Sequence, residues 1–176
     1  NSGVRCHMKI IVALLAILLS DSAFAAKPYN VQNLMLLQPD FVLSERVEVE
    51  DLSKYIKSVN AAAETSLASI AKPIPTAGFI VIAVRPGGQS KIWLDFSPAL
   101  PPAIATELRS SLERVEPFKA KGGVVVFAIN STLWGAAAGE RQGPSPVEWQ
   151  EAMKGADGPM EVGDLVERVW PSKAGT

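Results

Sequence analysis

The chain has 176 residues, 20% of them charged, with 17 Lys+Arg against 18 Asp+Glu and a formal charge of −1. Such a balance gives no electrostatic case for nucleic acid or an anionic lipid surface, both of which need a basic excess. The one cysteine and one histidine, Cys6 and His7, both precede Met8.

The seven residues before Met8 read as upstream translation or a cloning scar. From Met8 the pattern is that of a secretory signal. Lys9, with Arg5 upstream, supplies positive charge, Ile10–Leu19 is uninterrupted apolar sequence, and Ala23-Phe24-Ala25 fits the small-x-small cleavage rule. As a helix the apolar run reaches roughly 15 Å, about half a hydrocarbon core. We therefore expect cleavage near Ala25, no membrane span afterwards, and a single exported α+β domain over residues 26–176, periplasmic or secreted. No cysteine follows the apolar run to carry a lipid anchor. Cleavage removes Arg5, Lys9 and Asp21, which shifts the formal charge from −1 to −2.

Ala26–Ser44 reads as an extended lead-in. Within it Val31–Leu37 is apolar but of no clear type, Gln38-Pro39-Asp40 signals a turn, and Leu36, Leu37 and Phe41 are expected to pack onto the domain. Glu50–Ile70 is the clearest helix, because Leu52, Ile56, Val59, Ala63, Leu67 and Ile70 recur on one face. Glu48, Glu50 and Asp51 lie at its start, where acidic groups suit the macrodipole. Tyr55 falls one position off the stripe, as a boundary residue would. Lys72-Pro73 ends the helix.

Gly78–Val84 is apolar on both faces and so reads as a covered, central strand. Arg85–Ser90, with Pro86, Gly87 and Gly88, is a turn. In Lys91–Phe96 the residues Ile92, Leu94 and Phe96 alternate with Lys91, Trp93 and Asp95, the pattern of a half-exposed antiparallel strand closing a hairpin. A second helix, Pro102–Val115, carries Ile104, Leu108, Leu112 and Val115 on its buried stripe. Glu107, Arg109, Glu113 and Arg114 fall elsewhere on its surface, and Pro117 stops it. Gly122–Asn130 is a third strand. Asn130–Gly143 is a small-residue loop around Trp134. Ser145-Pro146-Val147-Glu148 has the spacing of a capping box for a short helix through Lys154, with Val147 and one or both of Trp149 and Met153 turned inward. A last helical turn is expected over Val162–Trp170. The sum is an α+β fold: an antiparallel-containing sheet of about three strands, two amphipathic helices packed on it, and a short C-terminal helix.

The order helix, strand, strand, helix, strand over residues 50–130 resembles the C-terminal domain of TonB and TolA-type proteins. Gly78 opening the first strand, the Gly87-Gly88 turn, and Pro117 with Gly122-Gly123 before the last strand carry the similarity. The resemblance implies an envelope protein-contact module on an α+β sheet-and-helix scaffold. It does not imply energy transduction, since neither an uncleaved anchor nor a Pro-rich spacer is present, and no functional residues are carried over.

Beyond Ala25 there is neither histidine nor cysteine. Ser-His-Asp and Cys-His catalysis, zinc sites needing nitrogen or sulfur ligands, and haem ligation by His or Cys are therefore closed to that part of the chain. We expect no cofactor and no metal. Ser69-Ile70-Ala71-Lys72 has the S-x-x-K spacing of penicillin-binding enzymes but lacks their two companion motifs. Glu48, Glu50 and Asp51 read as a charged first helical turn rather than as catalytic carboxylates. Gly87-Gly88 lacks the spacing of a phosphate loop.

Candidate binding residues are Trp93 and Asp95, an indole and a carboxylate on one strand face, and Trp134 in the small-residue loop. The first functional reading is an exported, non-enzymatic protein-interaction or ligand-binding module with an envelope protein partner. Its alternatives are a His-free hydrolase of polysaccharide or peptidoglycan and an envelope inhibitor or immunity-type protein.

Overall fold

The structure is a computed structural model and describes residues 26–156 and 158–171. The expected signal sequence lies outside them. Among the described residues the chain forms β1 (Tyr29–Leu36), α1 (Asp40–Arg46), α2 (Val49–Ala68), β2 (Thr76–Arg85), β3 (Gln89–Ser97), α3 (Pro102–Glu113), β4 (Val125–Leu133), α4 (Val147–Met153) and α5 (Val162–Val169). The four strands make one antiparallel sheet in the order β1-β4-β2-β3. The fold is thus α+β, with β1 and α1 added to the elements the sequence pattern announces in chain order. No helix among the described residues is long and apolar enough to cross a membrane.

Strand periodicity sorts the side chains of β2 and β4 onto two faces, and both faces are covered. Ile80, Ile82, Val84, Val125, Phe127 and Ile129 point to α2 and α3, where Val59, Ala63, Leu67, Leu108 and Leu112 meet them. Phe79, Val81, Ala83, Val124, Val126 and Ala128 point the other way, to α4 and α5, where Trp149, Leu165 and Val166 close the second core. All ten residues of β2 are buried, as its unbroken apolar run requires. Burial at this density contributes about 1.5–3 kcal/mol per large apolar side chain, which makes β2 and β4 the stability centre.

The packing alters several expectations. Trp93 is 4% exposed rather than on an open face, because α4 lies over it. Tyr55 is buried against Phe118 and Phe127, not at a boundary. Phe118 itself belongs to the first core. Ala26–Ser44 is not simply extended: β1 and α1 fall within it, and Leu36 (45%) and Phe41 (70%) are exposed. Of the residues expected inward on α4, Trp149 is buried, whereas Val147 and Met153 face solvent.

Ser145 does not cap α4. Pro146 is the N-cap residue and makes no side-chain cap bond. The Ser145 N–H and the Glu148 carboxylate instead bond to β3, so tertiary partners outcompete the local box. Past β1, the Gln38 side chain donates to Val124 O and accepts from Val126 N, which carries the ladder with β4 beyond the end of the strand.

Candidate binding surfaces

The three residues singled out in the sequence do not form one site. Trp93 belongs to the core beneath α4 and meets Trp149 edge-on at 5.5 Å between ring centroids. Trp134 belongs to the opposite core, where its Nε1 donates to Leu67 O at 3.3 Å. Asp95 is adjacent to Trp93 on β3 but is already engaged. Its Oδ1 accepts from Arg141 NH1 at 2.7 Å and its Oδ2 from the Ser145 N–H at 2.6 Å. Arg141 also lies over the Phe79 ring at 5.2 Å. Asp95 therefore clips the loop between β4 and α4 onto the sheet.

Glu148 plays a similar part. Its Oε2 accepts from Trp93 Nε1 at 2.9 Å and stands 3.1 Å from Lys91 Nζ. Partial burial pushes its pKa up, but the hydrogen bonds from Trp93 and Lys91 and the charges of Lys91 and Arg109 outweigh that and hold it below the usual glutamate value. A depressed carboxylate is the opposite of a general acid tuned for neutral pH. Ser69 of the S-x-x-K tetrad donates its hydroxyl to Ser66 O at the end of α2. Glu48 pairs with Lys121 at 2.9 Å on the surface. Among the described residues no group of three or more acidic, His or Cys side chains is placed to hold a metal.

Two other regions stand open. The first is β1. Among the described residues it pairs with β4 on one side and is the edge of the sheet on the other. A bulge between Val31 and Asn33 resets its alternation. Tyr29 and Val31 stand opposite Leu133 and Ser131, and after the bulge Leu34 and Leu36 stand opposite Ile129 and Phe127, on the same face. The extra residue thus puts Val31 (40% exposed), Leu34 (42%) and Leu36 (45%) on one face, in a stripe at the sheet margin. Tyr29 anchors its start by donating to Asn60 Oδ1 at 2.7 Å, and its phenol pKa is raised by burial and by the nearby Glu64 charge. The strand YNVQNLML has no charged residue and no proline, the usual protections of an edge.

The second region is the hairpin end of β2 and β3. The turn Pro86-Gly87-Gly88 needs positive φ at both glycines, +94° and +72°. It forms one wall of a cleft of about 730 Å³ lined also by Arg85, Ser90, Glu113 and Trp170. Arg85 was legible only as a turn residue, and Glu113 only as helix surface. A charged residue ending an otherwise apolar strand is the signal that could have raised Arg85. Comparison with protein-family models, with curated proteins and with solved structures finds no match to this chain.

Proposed function

We propose that the protein is an exported, non-enzymatic protein-interaction module that docks an extended segment of an envelope protein along β1. The observation that supports this reading is the free β1 edge with its one-sided apolar stripe, Val31, Leu34 and Leu36. Outward N–H and C=O groups on an edge strand are satisfied by water or by another strand, and an added strand supplies main-chain hydrogen bonds along its length. With no charge in β1, the matching partner is an uncharged segment with alternate apolar residues that extends the stripe. The resemblance to the TonB and TolA C-terminal domain agrees with a contact role, and export follows from the signal pattern at residues 8–25.

The test is Leu34→Lys, which places a charge on the stripe while leaving both cores untouched. The wild-type chain, crosslinked in intact envelopes through a photoreactive residue at position 33, is expected to capture one defined partner. Leu34→Lys is expected to lose it at unchanged melting temperature. Retained crosslinking in the variant refutes docking at β1. A crosslinked dimer of this chain would make the occupant a second copy and overturn the partner assignment.

A further inference from the structure

We propose that the cleft at the hairpin end is an oxyanion-binding site, with Arg85 as its anchor and a ligand carboxylate or phosphate as the missing countercharge. Arg85 is 7% exposed, and no carboxylate among the described residues comes within ion-pair distance of it. Its guanidinium carbon lies over the Trp170 ring, 3.5 Å from the centroid. It donates to the backbone carbonyls of Trp170 and Pro171 at the end of α5. Those carbonyls and the C-terminal dipole of α5 offset only part of a buried positive charge, which elsewhere in proteins is matched by an anion. Its Nε–H is buried with no acceptor among the described residues.

The Tyr55 hydroxyl, buried nearby, engages Ser90 of the cleft wall, so the Arg85 Nε–H is the donor left to a ligand. An unfilled donor on a buried cation favours an acceptor-rich ligand over a cation.

The charge balance agrees. A neighbouring cleft shares Ser90, Glu113 and Trp170 and adds Lys91, Arg109 and Glu148. The two clefts together carry Arg85, Lys91 and Arg109 against Glu113 and Glu148. Lys91 and Arg109 both act on Glu148, which leaves Glu113 as the carboxylate lining the cleft with Arg85. Glu113 is then the group that limits anion affinity. A zwitterion would use Glu113 for its ammonium, and an oxyanion is repelled by it. The two ligand types thus predict opposite effects of Glu113→Gln.

The experiment titrates the full chain with inorganic phosphate and, separately, with acetate, and follows the Arg85 Nε–H and Trp170 Nε1–H resonances by nitrogen-15 NMR. Saturable shifts of both groups are expected, with a dissociation constant on the order of 1 mM for so small a probe. Phosphate alone, acetate alone or both acting identifies which oxyanion the site takes. Glu113→Gln is expected to tighten binding at unchanged melting temperature. Arg85→Lys keeps the charge but loses the flat fork, and is expected to weaken binding by roughly tenfold or more. No saturable shift with either probe overturns the proposal. So does a Glu113→Gln variant that binds more weakly, or an Arg85→Lys variant that binds unchanged. None of these readouts depends on the β1 edge.

Discussion

Trp93 and Glu148 join the sheet to its second helical layer: the indole Nε1 donates to Oε2 of the carboxylate at 2.9 Å, from β3 to the first turn of α4. Because the folded pKa of Glu148 is depressed, its contribution is present above the unfolded glutamate value and is lost as pH falls through the lower folded value. With 56% of the side chain exposed, solvent screening holds that contribution to about 1 kcal/mol or less. Glu148→Gln keeps an acceptor for Trp93 but not the charge. The melting-temperature gap between wild type and this variant is expected to be open at neutral pH and to close on acidification below about pH 4, under the unfolded glutamate pKa. A gap that stays constant with pH contradicts the pairing.

Asp95 and Arg141 hold the loop between β4 and α4. Arg141 donates from NH1 to Oδ1 at 2.7 Å and from NH2 to the Asp95 carbonyl at 2.5 Å. Asp95→Ala removes the Arg141 side-chain bond and leaves the Ser145 N–H without its acceptor. It is expected to cost about 1–3 kcal/mol. Arg141→Ala leaves the Ser145 bond in place and is expected to cost about 1 kcal/mol or less, since Arg141 is 39% exposed. Limited proteolysis is expected to cut this loop faster in Asp95→Ala than in Arg141→Ala. Equal rates would mean that Asp95 acts through Arg141 alone.

The parts of this fold legible in the sequence are those with an unbroken period. The α2 stripe, the doubly covered β2, the hairpin and the α3 stripe each follow from spacing and stand in the structure. β1 was illegible because its bulge at Gln32 breaks the two-residue alternation on which strand recognition rests. Helices α4 and α5 are expected from the Ser145-Pro146 start and the Val162–Trp170 turn. Seven and eight residues are too few, however, for a periodicity that shows they form a layer over the second sheet face. Without that layer, Lys91–Phe96 reads as half-exposed, and Trp93 reads as surface. At the hairpin end, burial of Arg85 depends on where α5 terminates, which no local pattern near residue 85 encodes.

Gly78 marks a close approach between β2 and β3. A Cβ built there would fall 2.2 Å from Asp95 O and 2.6 Å from Phe96 Cα, both backbone atoms that cannot rotate aside. Gly78→Ala is therefore expected to destabilise by about 1–3 kcal/mol or more through forced strand separation. Gly88→Ala is the contrast. Nothing lies within 4 Å of its Cβ, and the cost there comes from φ of +72° alone, about 1–2 kcal/mol. Hydrogen exchange separates the two mechanisms. Gly78→Ala is expected to speed exchange at the β2–β3 ladder near Phe96, whereas Gly88→Ala is expected to speed it only at the turn.

Trp134 combines a buried side chain with a backbone that L residues avoid. It is 7% exposed, donates to Leu67 O, and sits at φ of +52° directly before Gly135 at +78°. Trp134→Ala empties its place beside α2 and is expected to cost about 3–5 kcal/mol. Trp134→Gly makes the same cavity but removes the left-handed penalty, about 1–2 kcal/mol. At regular helix or strand positions glycine is less stable than alanine by roughly 0.5–1 kcal/mol, so the order of the two variants is expected to reverse here. Denaturant midpoints with unchanged slopes decide it. A glycine variant less stable than the alanine variant would place residue 134 in ordinary backbone, and a small loss in both would return Trp134 to the surface.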